Sequence, residues 1–347
     1  MPRSDVIIAG AGILGCMIAR EVVSRAPRAS VVLIDRDLVG SGTSRRSAGL
    51  SVPLAATGRL RRMAAYSRDY YDKLKRACPA LPVYPLSLAV VAPTASEAAV
   101  LSTYLATAAL SRAPGAAGGM VRIPEHMQVW AGAGCHYADV YAVVQMLARK
   151  LRSTLSLREG VSVTEVEPAG SGVAVRLGTG ETLTAGQVVL APGAWLHVPA
   201  WRDLIAPLGL GVKRIVCLHV EQEPASTDPV IVFSDEDNAF LLPVRHRGHW
   251  LFSYTCHEWD VDPDAPPAGM SARTLAEARA ILDRYAPVLA ARCGGGRICC
   301  DAYSPTREPV LRALDEHGRV IFAGAANGSG YRLAPAIAAA AVSLLEL

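Results

Sequence analysis

Three features of this 347-residue chain predict an α/β fold with a doubly wound parallel sheet and an inserted antiparallel region. The first is an apolar run, Asp5-Val6-Ile7-Ile8-Ala9, that enters G-x-G-x-x-G at Gly10, Gly12 and Gly15 and then a helical pattern. The second is Gln187-Val188-Val189-Leu190-Ala191, another fully apolar strand pattern, which ends at Pro192-Gly193. The third is Arg319-Val320-Ile321-Phe322-Ala323, which runs into a turn holding Gly328 and Gly330 and then a helix to the C-terminus. In a doubly wound sheet such turns sit at the carboxyl ends of parallel strands, where ligands bind. The chain therefore closes its first domain with its own C-terminus, and a second domain is inserted between.

In chain order, the first strand is followed by a helix from Cys16 to Ala26 and a second apolar strand, Val31-Val32-Leu33-Ile34, that ends in Asp35. A hydroxyl- and glycine-rich loop covers residues 40–51, and a loop of that length in a compact domain usually has a function. Residues 57–76 carry a one-sided helical pattern that Pro79, Pro82 and Pro85 end. A strand over 83–92, a helix over 96–110 and a loop over 115–119 follow, then a helix over 137–151 with basic residues at its end. Residues 161–166 and 173–177 alternate as strands around a hairpin turn at 178–180. From Gly211 strands follow at 212–221, 230–234, 239–244 and 250–256 with no helix between them, the pattern of an antiparallel sheet. One helix is expected over 272–291 and a strand over 298–303.

Composition narrows the class. Hydrophobic residues make up 51% of the chain, enough for a large core, yet no run approaches the ~18–20 uncharged residues of a membrane span. A first strand beginning at Asp5 leaves no room for a signal peptide, so a cytoplasmic location is expected. Eight cysteines form no C-x-x-C pair, which argues against structural zinc, and no metal site is expected. The net charge of +4 is spread without a basic block, so nucleic acid and membrane are poor partners and a small molecule is the expected one. Nothing in the chain sets an oligomeric state. Only Lys73, Lys75, Lys150 and Lys213 are lysines, so later cationic roles fall to arginine or histidine.

The opening motif has a physical meaning. Gly10 permits the tight turn, Gly12 lets a pyrophosphate approach, and Gly15 lets helix and strand pack closely. The helix N-terminus, at Ile13 and Leu14, offers free N–H groups to phosphate. Asp35, twenty residues after Gly15, can accept hydrogen bonds from a ribose. These parts predict a dinucleotide site. At the other end, Gly328, Gly330 and the last helix can aim N–H groups at developing negative charge, which a reduced flavin carries and a reduced nicotinamide does not. Together with the 40–51 loop, this favours FAD over NAD.

At these residues the chain resembles the D-amino-acid oxidase-like flavoproteins, especially the glycine oxidase and sarcosine oxidase branch. The resemblance rests on Asp5–Gly15 with Asp35-Arg36, the loop Gly40–Leu50, Gln187–Trp195, Ser304–Val310 and Gly324–Pro335. It implies a Rossmann-type FAD-binding domain with an inserted α+β substrate domain built on an antiparallel sheet. The expected division places 1–54, 135–200 and 300–347 in the FAD domain, and 55–134 with 201–299 in the substrate domain. By the resemblance, Gly10, Gly12, Gly15, Asp35 and Arg36 hold the ADP half of FAD, with Ile13 and Leu14 at the helix start. Thr43, Ser44, Ala48, Gly49 and Leu50 would lie by the pyrophosphate and flavin. Val163 would touch the adenine through its backbone, and Gly193 closes the neighbouring turn. Gly328, Gly330, Tyr331, Arg332 and Leu333 would line the flavin edge.

Arg332 occupies the place of a substrate-binding lysine in sarcosine oxidases, and an arginine there can hold a carboxylate with two parallel hydrogen bonds. The plainer reading is an arginine that caps the flavin or pairs within the protein. Arg46 is a second candidate cation, with phosphate or surface pairing as its alternative. Tyr254 and His257, with His246 and His249, are candidate pocket residues on the antiparallel sheet. Alternation would put Phe252, Tyr254 and Cys256 on one face and Leu251, Ser253, Thr255 and His257 on the other.

The chain departs from the sarcosine oxidase pattern twice. Cys299 falls near the cysteine that bonds flavin covalently, but Asp301-Ala302 replace the Tyr-Thr of that motif, so non-covalent FAD is favoured and a covalent link through Cys299 stays open. No lysine follows residue 213 to promote reaction with oxygen, which leaves oxidase and dehydrogenase open. The implied reaction is oxidation of an amino acid or secondary amine, with hydride passing from the α-carbon to flavin N5 and water hydrolysing the imine to an oxo acid. Oxygen is the expected acceptor. The flavin does the chemistry and the protein orients and stabilises charge. A 2-hydroxy-acid dehydrogenase of the same fold, or a non-catalytic flavin-binding subunit, are the alternatives.

Overall fold

The computed structural model describes residues 3–234, 237–265 and 269–347. Two sheets organise them. The first has the path Val310–Ala313, Val320–Gly324, Thr182–Leu190, Ser4–Ala9, Val31–Ile34, Ser156–Arg158. The last five of these run parallel to one another, and Val310–Ala313 is an antiparallel edge. The hairpin Val163–Ala169 and Gly172–Leu177 pairs with the first half of Thr182–Leu190. The central strands read as unbroken apolar runs because both faces are covered. Val6 and Ile8 point into a core shared with the helices Ile13–Arg25, Val140–Leu151 and Gly330–Val342, whereas Ile7 and Ala9 face the hairpin, Leu196 and Trp201.

The second sheet runs Cys293–Tyr303, Gly211–Val220, His249–Tyr254, Phe240–Val244, Val230–Phe233, Val83–Pro93, Met127–Ala138, Leu50–Ser51, with Ser111–Arg112 added at one side. It is antiparallel as expected except for one parallel pair, Val230–Phe233 against Val83–Pro93. The helix Ala272–Tyr285 covers one face through Ala278 and Leu282.

Three elements differ from the expectation. Residues 127–138 form a long strand where the sequence pattern showed none, and the helix expected at 137 starts only at Val140. Gly132 and Gly134 weaken the local strand signal, and pairing with Val83–Pro93 supplies what propensity lacks. Asp139 then caps the helix, its side chain accepting the Ala142 N–H at 3.1 Å. The helix expected over 96–110 is two short pieces, Glu97–Thr103 and Ala106–Ala108, because Tyr104 turns extended and bridges to Leu54. The helix expected over 272–291 breaks at Ala286, which leaves the helical region ahead of Pro287, as a residue before proline tends to, and resumes at Pro287–Ala290.

Three of the expected domain limits fall in or close to strands of the second sheet, and the fourth, at 200, lies between Thr182–Leu190 and the short helix Arg202–Ile205. Leu50–Ser51 pairs with Tyr137 and His136, Met127–Ala138 passes through position 134, and Cys293–Tyr303 passes through position 299. Helix Gly58–Ala77 packs through Met63, Ala64, Tyr71 and Leu74 into the core of the first sheet, beside Gly330–Val342. Among the described residues, no helix is long and apolar enough to cross a membrane.

Candidate active site

The first glycine turn is held by contacts that leave no space for side chains. Gly10 has φ +103, and a Cβ there would meet the Ala191 carbonyl oxygen at 2.3 Å. A Cβ on Gly15 would lie 1.8 Å from the Gly10 carbonyl oxygen, so helix and strand touch through bare backbone. Asp35 ends the second strand. Its carboxylate accepts the Ala11 N–H at 2.7 Å and the Asp37 N–H at 2.9 Å. Burial raises its pKa against the effect of those bonds. Ser44 reaches back to accept the Ile13 N–H at 2.9 Å.

A groove of about 260 Å³ follows from this turn. It is lined by Gly10, Gly12, Ile13, Leu14, Asp35, Arg36, Thr43, Ser44, Val163 and Gly193, among others. Gly15 stays outside it, in the helix–strand contact. Arg36 lies across the Trp195 ring at 4.6 Å and pairs with both oxygens of Asp264, one of which also accepts Trp195 Nε1–H at 2.8 Å. The segment after His249–Tyr254 thus reaches back over the end of the groove.

Thr43, Ser47, Asp301, Gly328 and Tyr331 line both this groove and a second cavity of about 870 Å³. The cavity lies between the sheets. Ala48, Gly49, Leu50, Arg332 and Leu333 line it, and Gly330 lines the groove. Gly49 has φ +66 and sits against the Ala138 carbonyl, where a Cβ would meet oxygen at 2.1 Å. Arg297 fixes the neighbouring loop. Its Nε donates to the Arg46 carbonyl at 2.9 Å and Nη2 to Ser47 at 3.2 Å, while Nη1 meets His219 Nε2 at 2.9 Å.

The last turn, from Val320–Gly324 to Gly330–Val342, places Ala325, Asn327 and Gly328 in the left-handed region. Asn327 pins it, accepting the Ser304 N–H at 3.0 Å and donating to the Ala325 carbonyl at 2.8 Å. The expectation that Gly328 aims its amide at the flavin is corrected: that N–H donates to Asp301 at 2.9 Å. The carboxylate is nearer than the cavity and takes the donor. The first amides of the final helix, from Gly330 on, have no partner within the helix by its geometry.

Among the candidate catalytic residues, Arg332, Arg46 and Tyr254 line the cavity. Protein surrounds the Arg332 guanidinium except where the side chain opens on the cavity; its Nη1 donates to the carbonyls of Val52 and Leu54 at 3.1 and 2.5 Å and Nη2 to Ser329 Oγ at 2.8 Å. Burial lowers its pKa to about 10, so it stays charged at neutral pH. No ion pair with Arg332 occurs among the described residues. Tyr254 has its pKa pushed up to about 12 by burial and remains a phenol. His257 is corrected: it is exposed and lies off the cavity. The strand ends at Tyr254, so alternation no longer governs residue 257. His246 stacks on Tyr84 at 4.9 Å and His249 lies tilted against His219 at 4.9 Å, both away from the cavity lining.

On two strands of the cavity wall Cys299 was a sequence candidate, whereas Ile215, Cys217 and Tyr303 were not, and Lys213 and Asp301 carried no expected site role. Lys213, Ile215 and Cys217 alternate on one face of Gly211–Val220, and Cys299, Asp301 and Tyr303 on one face of Cys293–Tyr303. No lysine follows residue 213, but Lys213 itself lines the cavity. It is buried, with its ammonium 5.3 Å from both the Trp259 and Tyr303 rings. Desolvation lowers its pKa, aided by Arg307. Its alternation with apolar neighbours was the available signal. Cys299 lines the cavity, but burial, with Cys217 and Asp301 nearby, pushes its thiol well up, so it is held protonated.

A family model described as FAD dependent oxidoreductase matches residues 5–344. The chain belongs to this family. It is therefore an FAD-dependent enzyme of the oxidoreductase class, and the pinched turn, acidic strand end and long groove fit that cofactor. A curated relative, the 4-methylaminobutanoate oxidase (formaldehyde-forming) of Paenarthrobacter nicotinovorans, is 24% identical over 95% of this chain and 42% of its own length. The chain thus spans less than half of that relative. Among solved structures, NikD, an amino acid oxidase essential for nikkomycin biosynthesis, superposes with TM-score 0.81 at 19% identity, covering 99% of this chain and 94% of that one. Glycine oxidase from Geobacillus kaustophilus gives TM-score 0.79 at 19% identity, covering 99% and 95%. At these identities the likeness establishes the fold.

Proposed function

We propose that this enzyme oxidises an amine bearing a carboxylate, an amino acid or N-alkyl amino acid, at the carbon next to nitrogen. The observation that carries this reading is Arg332, a cation enclosed at the cavity with only neutral oxygens on its guanidinium. An enclosed charge without a counter-ion is costly, and a substrate carboxylate would complete it. Charge-assisted bonds of this kind contribute roughly 1.5–3 kcal/mol each, enough to set substrate orientation. FAD, when bound, supplies the hydride acceptor for the α-carbon, and water hydrolyses the resulting imine. The chain's own part is to hold the carboxylate at Arg332, orient the carbon and exclude water. Arg46 lies at the cavity as a further cation.

We further assign Lys213 as the cation that favours oxygen as acceptor, since it is the buried ammonium of the cavity. FAD is held without a covalent bond, because the Cys299 thiol resists ionisation. The name of the curated relative describes an oxidase of a methylamino carboxylate, which agrees with the proposed substrate class. A hydroxy-acid reading would need a base for the hydroxyl proton, and no histidine lines the cavity among the described residues.

Anaerobic bleaching of the bound flavin across amino acids and N-methyl amino acids tests the proposal. Fast bleaching by carboxylated amines, much slower bleaching by their amides and none by 2-hydroxy acids is expected. Bleaching by 2-hydroxy acids alone would overturn it. Peroxide yield per turnover in air decides the acceptor.

A further inference from the structure

One carboxyl lies where the two cavities meet. Asp301 belongs to the strand Cys293–Tyr303 and lines both the nucleotide groove and the reaction cavity. Its accessible surface opens onto those cavities, and protein surrounds the rest. One oxygen accepts the Gly328 N–H at 2.9 Å and the other the Ala302 N–H at 2.9 Å. No basic side chain forms an ion pair with it among the described residues. Among the described residues it is the one acidic residue in the lining of the reaction cavity. Structural carboxylates of this chain behave differently: Asp139, Asp264 and Asp315 each hold an arginine.

We propose that Asp301 is a positioning residue that couples a proton to the redox state of the flavin, by holding the Gly328 amide and presenting an ionisable charge where the cofactor passes between the cavities. This concerns FAD alone and does not depend on which substrate the enzyme takes.

The electrostatics follow from the surroundings. Cys299 and Tyr303 flank Asp301 on its own strand face, both held protonated by burial. Lys213 faces it from the paired strand, with its ammonium turned to Trp259 and Tyr303. Arg46, Arg307 and Arg332 line the same cavity from other elements. None of these cancels the carboxylate by direct contact. Burial therefore raises its pKa, to about 6, against the two N–H bonds. The cofactor gains negative charge when it takes two electrons from the amine or from an electrode. That charge raises the proton affinity of Asp301, and a proton from water moves onto its carboxyl. Below its pKa the acid is already neutral and adds nothing.

The test is the flavin midpoint potential of the holoenzyme from pH 5 to 8.5, in wild type and Asp301→Asn, poised by an electrode without substrate. The wild-type potential is expected to fall more steeply around pH 6 than that of D301N. The two curves should meet near pH 5 and separate above pH 7, with D301N the more easily reduced. A constant offset at every pH, or none, would overturn the proposal, because a merely structural role moves the potential equally throughout. Where D301N does not retain FAD, the wild-type reduced-minus-oxidised infrared spectrum at pH 7 decides. A carboxylic acid C=O band that grows on reduction and shifts in Asp301→Glu supports coupling, and its absence overturns it.

Discussion

The hydroxyl of Tyr71 donates to the carbonyl oxygen of Tyr331 at 2.7 Å. The bond has a local cause. In a regular helix that carbonyl would receive the N–H of residue 335, and Pro335 has none. One turn earlier on Gly58–Ala77, Ser67 Oγ accepts the Ala336 N–H at 3.2 Å. Two side chains of one helix thus satisfy the groups that a proline disturbs in another. The helix they steady is the one that carries Arg332. Tyr71→Phe leaves a buried carbonyl without its donor and is expected to destabilise the holoenzyme by about 1–2 kcal/mol. Urea unfolding followed by flavin release measures it; an unchanged midpoint would show that the proline is tolerated without Tyr71.

Arg332 separates two kinds of binding. Arg332→Lys keeps a charge and loses the fork, so kcat/KM for a carboxylated amine should fall about 10–100-fold. The same variant should act on the corresponding amide as wild type does. Steady-state kinetics on the paired substrates checks this, and an equal loss on both would assign Arg332 to holding Val52 and Leu54 only.

Lys213 bears on oxygen. Lys213→Met is expected to slow the reaction of reduced enzyme with oxygen by about 10²–10³, the scale of losing one preorganised charge. Anaerobic bleaching by substrate should be little changed. Since desolvation lowers the Lys213 pKa, its ammonium is lost at a lower pH than for an ordinary lysine. The wild-type oxygen reaction should therefore slow as pH rises through a value below 10.5, and K213M should lack that decline. Stopped-flow reoxidation across pH measures both.

Asp264 ties the segment after His249–Tyr254 to Arg36 and Trp195 at the groove. The pair is partly exposed, with side chains 37% and 48% accessible, so its contribution is discounted to about 0.2–1 kcal/mol. Asp264→Ala should raise the FAD dissociation constant about two- to fivefold, measured by titrating apoprotein with FAD. A smaller constant would mean that Asp264 competes with the cofactor for Arg36.

Cys299 gives a qualitative outcome. Acid denaturation should leave all yellow colour in the supernatant, and Cys299→Ser should hold the same amount of flavin as wild type. Colour retained in the pellet would show a covalent link in spite of the protonated thiol.

The nucleotide end of this molecule was legible because its chemistry is local. Gly10, Gly12, Gly15 and Asp35 lie within one βαβ unit, where Gly15 and Asp35 make their contacts, although Gly10 also closes against Ala191 and Gly12 against Ser44. The reaction cavity was less legible. His257 was misplaced because the strand's end could not be located from alternation, and the strand Met127–Ala138 was missed because its glycines hide it. Lys213 and Asp301 carried no expected site role because each gains meaning only from the strand across from it, where their backbones stand opposite one another in register.

By itself, then, the sequence determined the parallel sheet, the FAD fingerprint and the glycine turn before the final helix, all features set by short-range backbone sterics and apolar periodicity. Only the tertiary structure decided that Gly328 gives its amide to Asp301, that Arg332 is enclosed without an acidic partner among the described residues, and that Lys213 faces the cavity. Those outcomes depend on pairing between strands about 90 residues apart, and on which charges the fold leaves uncompensated where the two sheets meet.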